Sequence, residues 1–297
     1  MRIITCNLNG IRSAASKGFF VWLEKQNADV VCVQELKAQE KDVIPTYREV
    51  GALTGTFHYA ERPGYSGVGI YARRQPDRVR IGWGWPDANR EGRYLRVDFG
   101  RLAVISLYLP SGSRSEERQG VKYRFMAKLL PELKALRASR RHVVLCGDWN
   151  IAHTKKDIRN WRGNQKNSGF LPEERAWMTQ VFDEVGLVDA FRRVNPEAEE
   201  YTWWSFRGQA WAKNVGWRID YQVATPGLAK LATQTVVYKE KRFSDHAPLG
   251  IDYDYAFDSS PPRKRVTVSA KRALPRKAAV KQQPRLLKRN KEMRLYT

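Results

Sequence analysis

The chain of 297 residues contains little cysteine and little histidine, with three and four residues respectively. The cysteines, Cys6, Cys32 and Cys146, are odd in number, and each lies in an apolar run. This pattern argues against a disulfide framework and suits reduced, buried thiols in a cytoplasmic protein. No Cys/His spacing typical of a zinc site is present either. We therefore expect the fold to depend on its hydrophobic core alone.

Long apolar runs are also absent from the sequence. A membrane-spanning helix needs about 18 or more consecutive apolar residues, and no such run occurs. The N-terminal sequence Met-Arg-Ile-Ile-Thr-Cys-Asn lacks the apolar region of a secretion signal. We therefore expect a cytoplasmic protein, and we expect it to be a monomer.

Acidic residues are outnumbered by basic ones, 31 to 53, which gives a formal net charge of +22. The excess is largest in residues 261–297, which contain 13 Lys or Arg, only one acid, Glu292, and no apolar periodicity. We predict one folded domain, residues 1–257, which is large enough to be a catalytic domain. A disordered basic tail, residues 258–297, is predicted to follow it. Both parts are basic, so the charge indicates a polyanionic partner. Nucleic acid is the commonest partner of this kind, and an anionic membrane surface is the next.

Within residues 1–257, short β-branched runs alternate with segments of helical periodicity. Several runs follow one another without a helix between them, so hairpins and mixed sheets are expected in an α/β fold, and a purely parallel doubly wound sheet is disfavoured. The predicted strands are Arg2–Cys6, Val30–Gln34, Val68–Arg73, Tyr94–Phe99, Leu102–Leu107, His142–Cys146, Ile219–Ala224 and Ala247–Tyr253. The predicted helices are Lys17–Gln26, Arg124–Ala138 and Glu173–Val185.

Carboxylates and amides lie at several points where an apolar run begins or stops. Taken singly, an Asp or Asn in such a place is more often a turn residue or a helix cap. Taken together, they indicate a site at the edge of a sheet, where strands fix the side chains and loops leave room for a substrate. These residues are Asn7, Asn9, Glu35, Asp148, Asn150, Asp220 and Asp245.

Hard oxygen ligands of this kind suit Mg²⁺, which takes one or two carboxylates together with waters and substrate phosphate. Glu35 with Asp245 and an amide from Asn7 would make such a site.

His246 follows Asp245 directly. A lone histidine usually serves packing, but beside an acid such as Asp220 it can be held in one tautomer and exchange a proton with phosphate or water.

Seven short motifs occur in order along residues 1–255. They are Asn7-Leu8-Asn9-Gly10-Ile11-Arg12, Gln34-Glu35-Leu36-Lys37, Gly64-Tyr65-Ser66-Gly67-Val68-Gly69, Tyr108-Leu109-Pro110, Gly147-Asp148-Trp149-Asn150, Asn214-Val215-Gly216-Trp217-Arg218-Ile219-Asp220-Tyr221 and Ser244-Asp245-His246. Each motif alone is weak. The ordered set is specific, and it resembles the exonuclease III family of abasic-site DNA repair nucleases, within the endonuclease/exonuclease/phosphatase superfamily.

The resemblance implies a four-layered α/β sandwich, in which two mixed sheets pack face to face with helices outside. It implies that Glu35 is the main ligand of Mg²⁺, for which Mn²⁺ can substitute, with Asn7, Asn9 and Asp245 nearby. Asp148 and Asn150 would lie on the side of the attacking water and are also candidate metal ligands. Whether one or two ions bind stays open.

The same resemblance gives catalytic roles to five residues. Tyr108 is similar to a tyrosine that contacts the scissile phosphate, and Asp220 and His246 resemble an acid and histidine pair. In-line attack by water needs a base, positive charge for the phosphate oxygens and help for the leaving group. Asp148, fixed by Asn150, could be the base, but the sequence does not separate it from His246 in that role.

A further group of residues is expected to contact DNA. Asn9 stands where some family members have Asp, which weakens any assignment of it as a direct metal ligand. Residues 160–167 form a polar loop suited to phosphate contacts, although such loops are often only solvated. The aromatic segment around residues 203–217 is implied to wall a pocket for a flipped-out, baseless sugar. The expected DNA contacts are Asn9, Tyr65, Asn164, Trp203, Trp217 and Ile219.

The resemblance implies a Mg²⁺-dependent nuclease that cuts DNA 5′ to abasic sites and has 3′-to-5′ exonuclease and 3′-phosphodiesterase activity. Its partner would be double-stranded DNA with abasic sites or blocked 3′ ends, with no membrane partner and, in a prokaryote, an association with the nucleoid. Two alternatives stay open: a related phosphodiesterase acting on lipid or inositol phosphates, and a noncatalytic nucleic-acid binder. Clustered carboxylates argue against the binder, since they repel a polyanion unless a metal covers them.

Overall fold

The computed structural model describes residues 1–257 and 267–270. Two mixed sheets of seven strands each form the centre of this part of the chain. The strands are β1 (Arg2–Asn7), β2 (Val30–Gln34), β3 (Glu49–Val50), β4 (Leu53–His58), β5 (Val68–Ala72), β6 (Arg78–Ile81), β7 (Tyr94–Phe99), β8 (Leu102–Tyr108), β9 (His142–Asp148), β10 (Val188–Asp189), β11 (Asp220–Ala224), β12 (Ala232–Val237), β13 (Leu249–Tyr253) and β14 (Thr267–Ala270).

The helices connect these strands and cover the sheets. They are α1 (Ile11–Ser16), α2 (Phe19–Glu24), α3 (Pro45–Arg48), α4 (Pro86–Arg90), α5 (Glu116–Ala138), α6 (Trp161–Asn164), α7 (Pro172–Thr179), α8 (Ala190–Val194) and α9 (Pro226–Ala229). A π-helical turn, Gln180–Glu184, continues α7, and two 3₁₀ turns cover Glu40–Asp42 and Lys155–Asp157.

The strand order is β12-β13-β1-β2-β5-β4-β3 in the first sheet and β10-β11-β9-β8-β7-β6-β14 in the second. In each sheet a parallel pair lies near the middle, β1 with β2 and β8 with β9. The carboxyl ends of the two strands in each pair therefore lie side by side. The motif residues Asn7, Glu35, Tyr108 and Asp148 are at or directly after these strand ends. The other described pairs are antiparallel, except β14 with β6.

Alternate residues of the central strands face two different cores, as the period of a strand requires. Ile3 and Val144 belong to the core between the sheets. Ile4 packs under α1 and α2, whereas Val143 packs under α5 and α7. Helices, sheet, sheet and helices thus form four layers, and the predicted α/β sandwich of two mixed sheets is confirmed.

The predicted strands and helices are all present, with shifted ends. Helix α5 begins at Glu116, because Ser115 caps it through an oxygen that accepts from the N–H of Arg118 at 3.3 Å. The predicted helix Glu173–Val185 changes to a π-helical turn after Thr179. Among the strands that the sequence did not predict are β4, β6 and β12.

The predicted tail requires one correction. Residues Thr267–Ala270 form β14, which pairs in parallel with Arg78–Ile81, so the prediction of disorder was wrong for these four residues. Paired main-chain groups at the sheet edge explain a strand in a segment that composition alone assigns to disorder. The rest of the predicted tail lies outside the described residues. Within the described residues, no helix is long and apolar enough to cross a membrane.

Candidate active site

Three of the predicted site residues lie side by side on neighbouring strands of the second sheet. Tyr108 at the end of β8 is the parallel neighbour of Asp148 at the end of β9. Asp148 in turn faces Asp220, the first residue of β11, across an antiparallel pair. Two acids directly opposite each other repel. A cation is needed between them, and His246 supplies it.

The backbone of this edge is held in unusual conformations. Gly147 has φ +151, and a Cβ there would overlap the carbonyl oxygen of Leu107, so only glycine fits between the two strands. Glu35, Asn9 and Asn150 are non-glycine residues with φ of 52, 47 and 52. Such left-handed residues store strain of order 1 kcal/mol each and are concentrated at functional sites.

These residues surround one open cleft with a volume of about 1140 Å³. Most of the predicted residues line it, namely Asn9, Glu35, Tyr65, Tyr108, Asp148, Asn150, Trp203, Trp217, Ile219, Asp245 and His246. Asn7 and Asp220 are buried behind this lining, where they contact Asp148 and His246. Asn164, the remaining predicted residue, neither lines the cleft nor forms a hydrogen bond with Asp148 or His246. Side chains from both sheets thus converge, as predicted.

Asp148 is buried and held by two amide groups. Asn7 Nδ2 and Asn150 Nδ2 donate to Asp148 Oδ2 at 2.9 and 3.0 Å, and the N–H of Asn150 donates to Oδ1 at 2.8 Å. Burial and the nearby charge of Asp220 raise the pKa of Asp148 above its ordinary value, against the opposing effect of His246. The carboxylate is therefore oriented and more basic than a surface aspartate.

His246 lies between two carboxylates. Its Nδ1 is 2.8 Å from Asp220 Oδ2, so the predicted pair is present, and its Nε2 is 3.9 Å from Asp148 Oδ2. Burial acts to lower the pKa of His246, but Asp220 and then Asp148 outweigh it and raise that pKa above its ordinary value. The imidazole is consequently a cation at neutral pH, with a proton on each nitrogen.

Glu35 follows β2 of the first sheet directly and lines the cleft. Its Oε2 accepts from Lys37 Nζ at 2.8 Å, and its Oε1 accepts from the hydroxyl of Tyr108. Burial and the charge of Glu35 raise the pKa of Tyr108 well above its ordinary value, so the phenol stays protonated. Lys37 also donates to Asn9 Oδ1. A cation therefore already sits between the oxygens of Glu35 and Asn9.

The donor set fits a hard divalent ion that keeps part of its hydration shell. The described residues contain no cluster of three or more His, Cys, Asp or Glu side chains that could enclose a metal. Mg²⁺ does not require one, because it binds through one or two carboxylates plus waters and substrate phosphate. The position of the Lys37 ammonium against Glu35 shows that this carboxylate favours a cation.

Asp245 closes the far end of the cleft. It accepts from Asn9 Nδ2 at 2.8 Å, from Trp203 Nε1 at 3.0 Å and from the hydroxyl of Ser244 at 3.1 Å. Burial acts to raise the pKa of Asp245, but the charge of His246 and these hydrogen bonds lower it below the ordinary value. Asp245 therefore stays ionised, and it fixes the indole of Trp203.

An apolar wall adjoins these polar groups. The rings of Trp203 and Trp217 meet edge to face with centroids 6.0 Å apart. Both pack on a small core that includes Ile219 and Phe170. The two indoles are only partly buried, so they present apolar surface to the cleft. The structure thus brings the three predicted pocket residues together.

Asn164 lies outside the cleft lining. Its Nδ2 donates to the carbonyl oxygen of Asn160 at 2.7 Å, and its Oδ1 accepts from Asn167 at 2.8 Å. Asn167, three residues later, lines the cleft together with Lys166. The DNA contact of Asn164 stays a prediction, and Asn164 acts in this structure by orienting Asn167.

Arg93 is a cleft residue that the sequence did not reveal. It is only 1% exposed, and its guanidinium carbon lies 4.5 Å from the ring centroid of Tyr108. It donates to the hydroxyl of Tyr65 at 2.9 Å, and Arg118 donates to the same hydroxyl at 2.8 Å. Two buried or half-buried cations therefore hold Tyr65 at the cleft. Lys37 belongs to one of the seven motifs, but the sequence did not indicate its role either.

A buried ion pair supports the cleft from behind. Lys122 Nζ lies 2.6 Å from Glu174 Oε1 and donates to the carbonyl oxygen of Asn150 at 2.7 Å. Glu174 Oε2 accepts from the N–H groups of Gly169 and Leu171, at 2.6 and 3.1 Å. Both side chains are fully buried. The pair therefore ties α5 and α7 to two loops that line the cleft.

We expect Lys122→Met to lower the free energy of unfolding by about 3 kcal/mol, because removal of one partner leaves the other charge buried and unpaired. Urea denaturation measures this loss. Lys128→Met is the matched control, since Lys128 lies on the same helix but is exposed, and its change should stay within about 0.5 kcal/mol. If Lys122→Met lowers the free energy of unfolding no more than the control does, the Lys122–Glu174 pair does not stabilise the fold.

Comparisons with known proteins agree with this geometry. Residues 4–246 match the family described as Endonuclease/Exonuclease/phosphatase. The chain is 34% identical over 251 residues to an exodeoxyribonuclease of Bacillus subtilis, which covers 84% of this chain and 98% of that protein. It is 30% identical over 271 residues to the exodeoxyribonuclease III of Haemophilus influenzae, covering 85% of this chain and 100% of that protein.

A solved structure shows the same architecture. An AP endonuclease from Archaeoglobus fulgidus superposes with a TM-score of 0.78 at 26% identity, covering 86% of this chain and 100% of that one. The sequence motifs, the paired sheets and the converging acids all indicate one family. The chain belongs to the exonuclease III family of endonuclease/exonuclease/phosphatase proteins.

Proposed function

We propose that this protein is a Mg²⁺-dependent DNA repair nuclease that hydrolyses the phosphodiester bond 5′ to an abasic site. The observation that carries the proposal is the arrangement around Asp148, a buried carboxylate 3.9 Å from the imidazole of His246, in a cleft that also contains Glu35. The names of its relatives, exodeoxyribonuclease and AP endonuclease, support DNA as the substrate.

Asp148 is the proposed general base. His246 is a poor candidate, because its raised pKa leaves both nitrogens protonated at neutral pH. Asp148 has a raised pKa of its own, which suits proton abstraction near neutral pH. Asn7 and Asn150 hold its carboxylate in position, and this fixed orientation contributes to the rate through proximity.

Charge that develops on the phosphate during attack requires donors already in place. The imidazolium of His246 is one, held by Asp220 at 2.8 Å. The phenol of Tyr108, kept protonated by burial, would be a second once its hydroxyl, which now donates to Glu35, turns to the phosphate. Both face the same cleft as Asp148 and contribute most when the negative charge on the phosphate is largest.

Mg²⁺, with Mn²⁺ as a substitute, is the proposed cofactor. Glu35 would be its main ligand, with Asp245, Asn7, Asp148 and Asn150 as further oxygen donors. The bound ion would neutralise phosphate charge and polarise the P–O bond. Lys37, which now contacts Glu35, would move to the phosphate side or stay as a second cation.

Trp203, Trp217 and Ile219 are proposed to accept the baseless sugar. An apolar wall without partners for base edges favours a residue that has lost its base, because an intact nucleotide must be unpaired and unstacked at a cost of a few kcal/mol. Asn9, Tyr65 and Asn164 are proposed to contact or position the DNA backbone. Lys37, Arg62, Arg93, Arg114, Arg118 and Lys166 also line the cleft and would attract it.

We expect Trp217→Ala to lower kcat/KM for abasic DNA by about tenfold, which corresponds to roughly 1.4 kcal/mol less apolar burial of the sugar. The 3′-to-5′ degradation of intact duplex should change less, since it does not need the apolar wall. Parallel assays on the two substrates measure the ratio. Trp211→Ala serves as a control, because Trp211 is half-buried in a different cluster. An equal loss on both substrates would argue against a selective pocket.

The test of the proposed function uses a labelled duplex with one abasic analogue, with Mg²⁺ or with EDTA. Incision on the 5′ side of the analogue is expected with Mg²⁺ only. An intact duplex should show little internal cutting even with Mg²⁺. Removal of a 3′-phosphate or blocked 3′ end should also require Mg²⁺. Equal products in both tubes, or none, would contradict the proposal. Turnover of inositol phosphates instead would favour the alternative phosphodiesterase.

A further inference from the structure

A second pocket, here called the lateral pocket, lies next to the cleft and has a volume of about 610 Å³. Leu171 lines the cleft, whereas the following residue, Pro172, lines the lateral pocket. The segment of residues 158–171 runs between the two spaces: residues 166–169 and 171 line the cleft, whereas Trp161 and Phe170 contact Lys155 and Arg175 of the lateral pocket. The residues that matter in the lateral pocket are Lys155, Lys156, Asp157, Arg175, Thr179 and Arg192.

The lateral pocket is positively charged. Its lining contains four Lys or Arg side chains and one acid, Asp157. That acid is already fully bonded: Oδ1 accepts from Arg192 and Arg218 at 2.5 and 2.8 Å, and Oδ2 accepts from the N–H of Thr154 at 2.8 Å. Burial acts to raise the pKa of Asp157, but the two guanidinium groups lower it well below the ordinary value. Asp157 is thus occupied by Arg192 and Arg218. Lys156 pairs with Glu197 at 2.6 Å, so Lys155 and Arg175 are the lining cations that no carboxylate in the described part of the chain neutralises.

Two of these cations have no anionic partner. Lys155 Nζ lies 4.2 Å from the ring centroid of Trp161, and the guanidinium carbon of Arg175 lies 4.7 Å from the ring centroid of Phe170. Within residues 1–257 and 267–270, neither side chain forms an ion pair, and the buried Nε of Arg175 has no acceptor. A buried donor without a partner costs about 1–3 kcal/mol, so the pocket favours a ligand that accepts hydrogen bonds.

We propose that the lateral pocket is a second phosphate-binding site, which holds a backbone phosphate of the duplex that occupies the cleft. This inference rests on the proposed function. A phosphodiester only accepts hydrogen bonds and carries a negative charge, which matches a planar guanidinium and an ammonium group. Because residues 166–169 line the cleft while Trp161 and Phe170 of the same segment contact Lys155 and Arg175, a strand that leaves the cleft across this segment reaches those two cations next.

The experiment compares the wild type with the double variant Lys155→Ala, Arg175→Ala in EDTA, so that no DNA is cut. The affinity of each protein is measured for three duplexes. The first is a short abasic duplex that fills the cleft, and the other two extend it by one helical turn, one on the 5′ side of the lesion and one on the 3′ side. The variant should bind one extended duplex about tenfold more weakly than the wild type does. The salt slope for that duplex should be shallower by about 0.9 for each phosphate that the variant no longer binds.

Three comparisons make the outcome decisive. Arg175→Lys with Lys155 intact should restore most of the affinity, since it keeps the charge. Lys128→Ala, Lys134→Ala removes the same charge from exposed positions on α5, outside both lining sets, and should leave the length dependence intact. Inorganic phosphate should raise the melting temperature of the wild type more than that of the Lys155, Arg175 variant, which keeps only the cleft as a phosphate site.

The results separate the possible occupants. Loss of the length dependence supports the site with DNA as its occupant. A smaller phosphate effect in the variant without that loss supports the site with a free phosphate instead. If the variant matches the wild type in both measurements, the lateral pocket is not a phosphate site. Failure of the wild type to bind any abasic duplex would instead contradict the proposed function, so the two failures are distinguishable.

Discussion

Asp148→Asn is expected to lower the rate of incision at an abasic site by about 10³- to 10⁴-fold, the upper part of the range for loss of a general base. The amide has nearly the same shape but cannot take a proton from water. Its nitrogen faces one of the N–H groups of Asn7 or Asn150 that donate to Asp148, so a melting curve of the variant is needed to show that the loss reports chemistry and not folding. Single-turnover rates with saturating Mg²⁺ measure the effect.

DNA affinity should be kept in the same variant, or should increase, because a buried carboxylate repels phosphate. Asp183→Asn is the matched control, since it makes the same chemical change at an exposed residue away from the cleft. Its rate should equal that of the wild type. An Asp148→Asn enzyme that retains a tenth or more of the wild-type rate would remove Asp148 from the role of base.

Asp220→Asn is expected to lower kcat/KM at alkaline pH by about 10²- to 10³-fold, comparable to the loss of one preorganised donor. Asp220 is the main group that opposes burial and raises the pKa of His246 to about 10. Without that carboxylate, only Asp148 and Asp245 oppose burial, and the pKa of His246 falls. His246 then loses its proton at a lower pH than in the wild type, and above that pH it can no longer balance charge on the phosphate.

The sign of the pH dependence follows from these shifts. A group whose pKa is raised by folding keeps its proton up to that raised value, so the wild type should stay active until the pH approaches about 10. In Asp220→Asn the alkaline limb should move to lower pH. On the acid side, activity should fall as the pH drops through the raised pKa of Asp148, in both proteins.

A double-mutant cycle provides the control for this second prediction. His246→Gln should cost about as much as Asp220→Asn, and the double variant little more, because residues that act as one unit are strongly non-additive. Additive losses would show that Asp220 acts independently of His246. An unchanged alkaline limb in Asp220→Asn would contradict the assignment of His246 as the cation.

Much of the site could be predicted because its acids lie where strands begin or end. Glu35, Asp148 and Asp245 each adjoin an apolar run, so the change of pattern was visible in the sequence. Their convergence depends on sheet pairing, which brings Asp148 beside Tyr108 and opposite Asp220. The order of the motifs, through the resemblance, supplied that long-range information. Periodicity alone would not have supplied it.

Other features could not be predicted, for physical reasons. Arg93 has no local signal, because its role comes from contacts with Tyr65 and Tyr108, 28 and 15 residues away. Lys122 and Glu174 lie in helices, where charged residues are expected on the solvated face, and only the tertiary fold buries them together. Strand β6, Arg78–Ile81, was missed because two of its four residues are arginines.

The central claim is that one cleft holds the scissile phosphate against Asp148 and His246 and a divalent ion against Glu35. Crystals of the wild type with Mn²⁺ and an abasic duplex, carrying a non-hydrolysable linkage 5′ to the lesion, test it directly. The claim predicts an anomalous Mn²⁺ peak at the Glu35 carboxylate and the scissile phosphorus beside Asp148 and His246. A peak bound elsewhere, or a phosphate that lies away from Asp148, would contradict it.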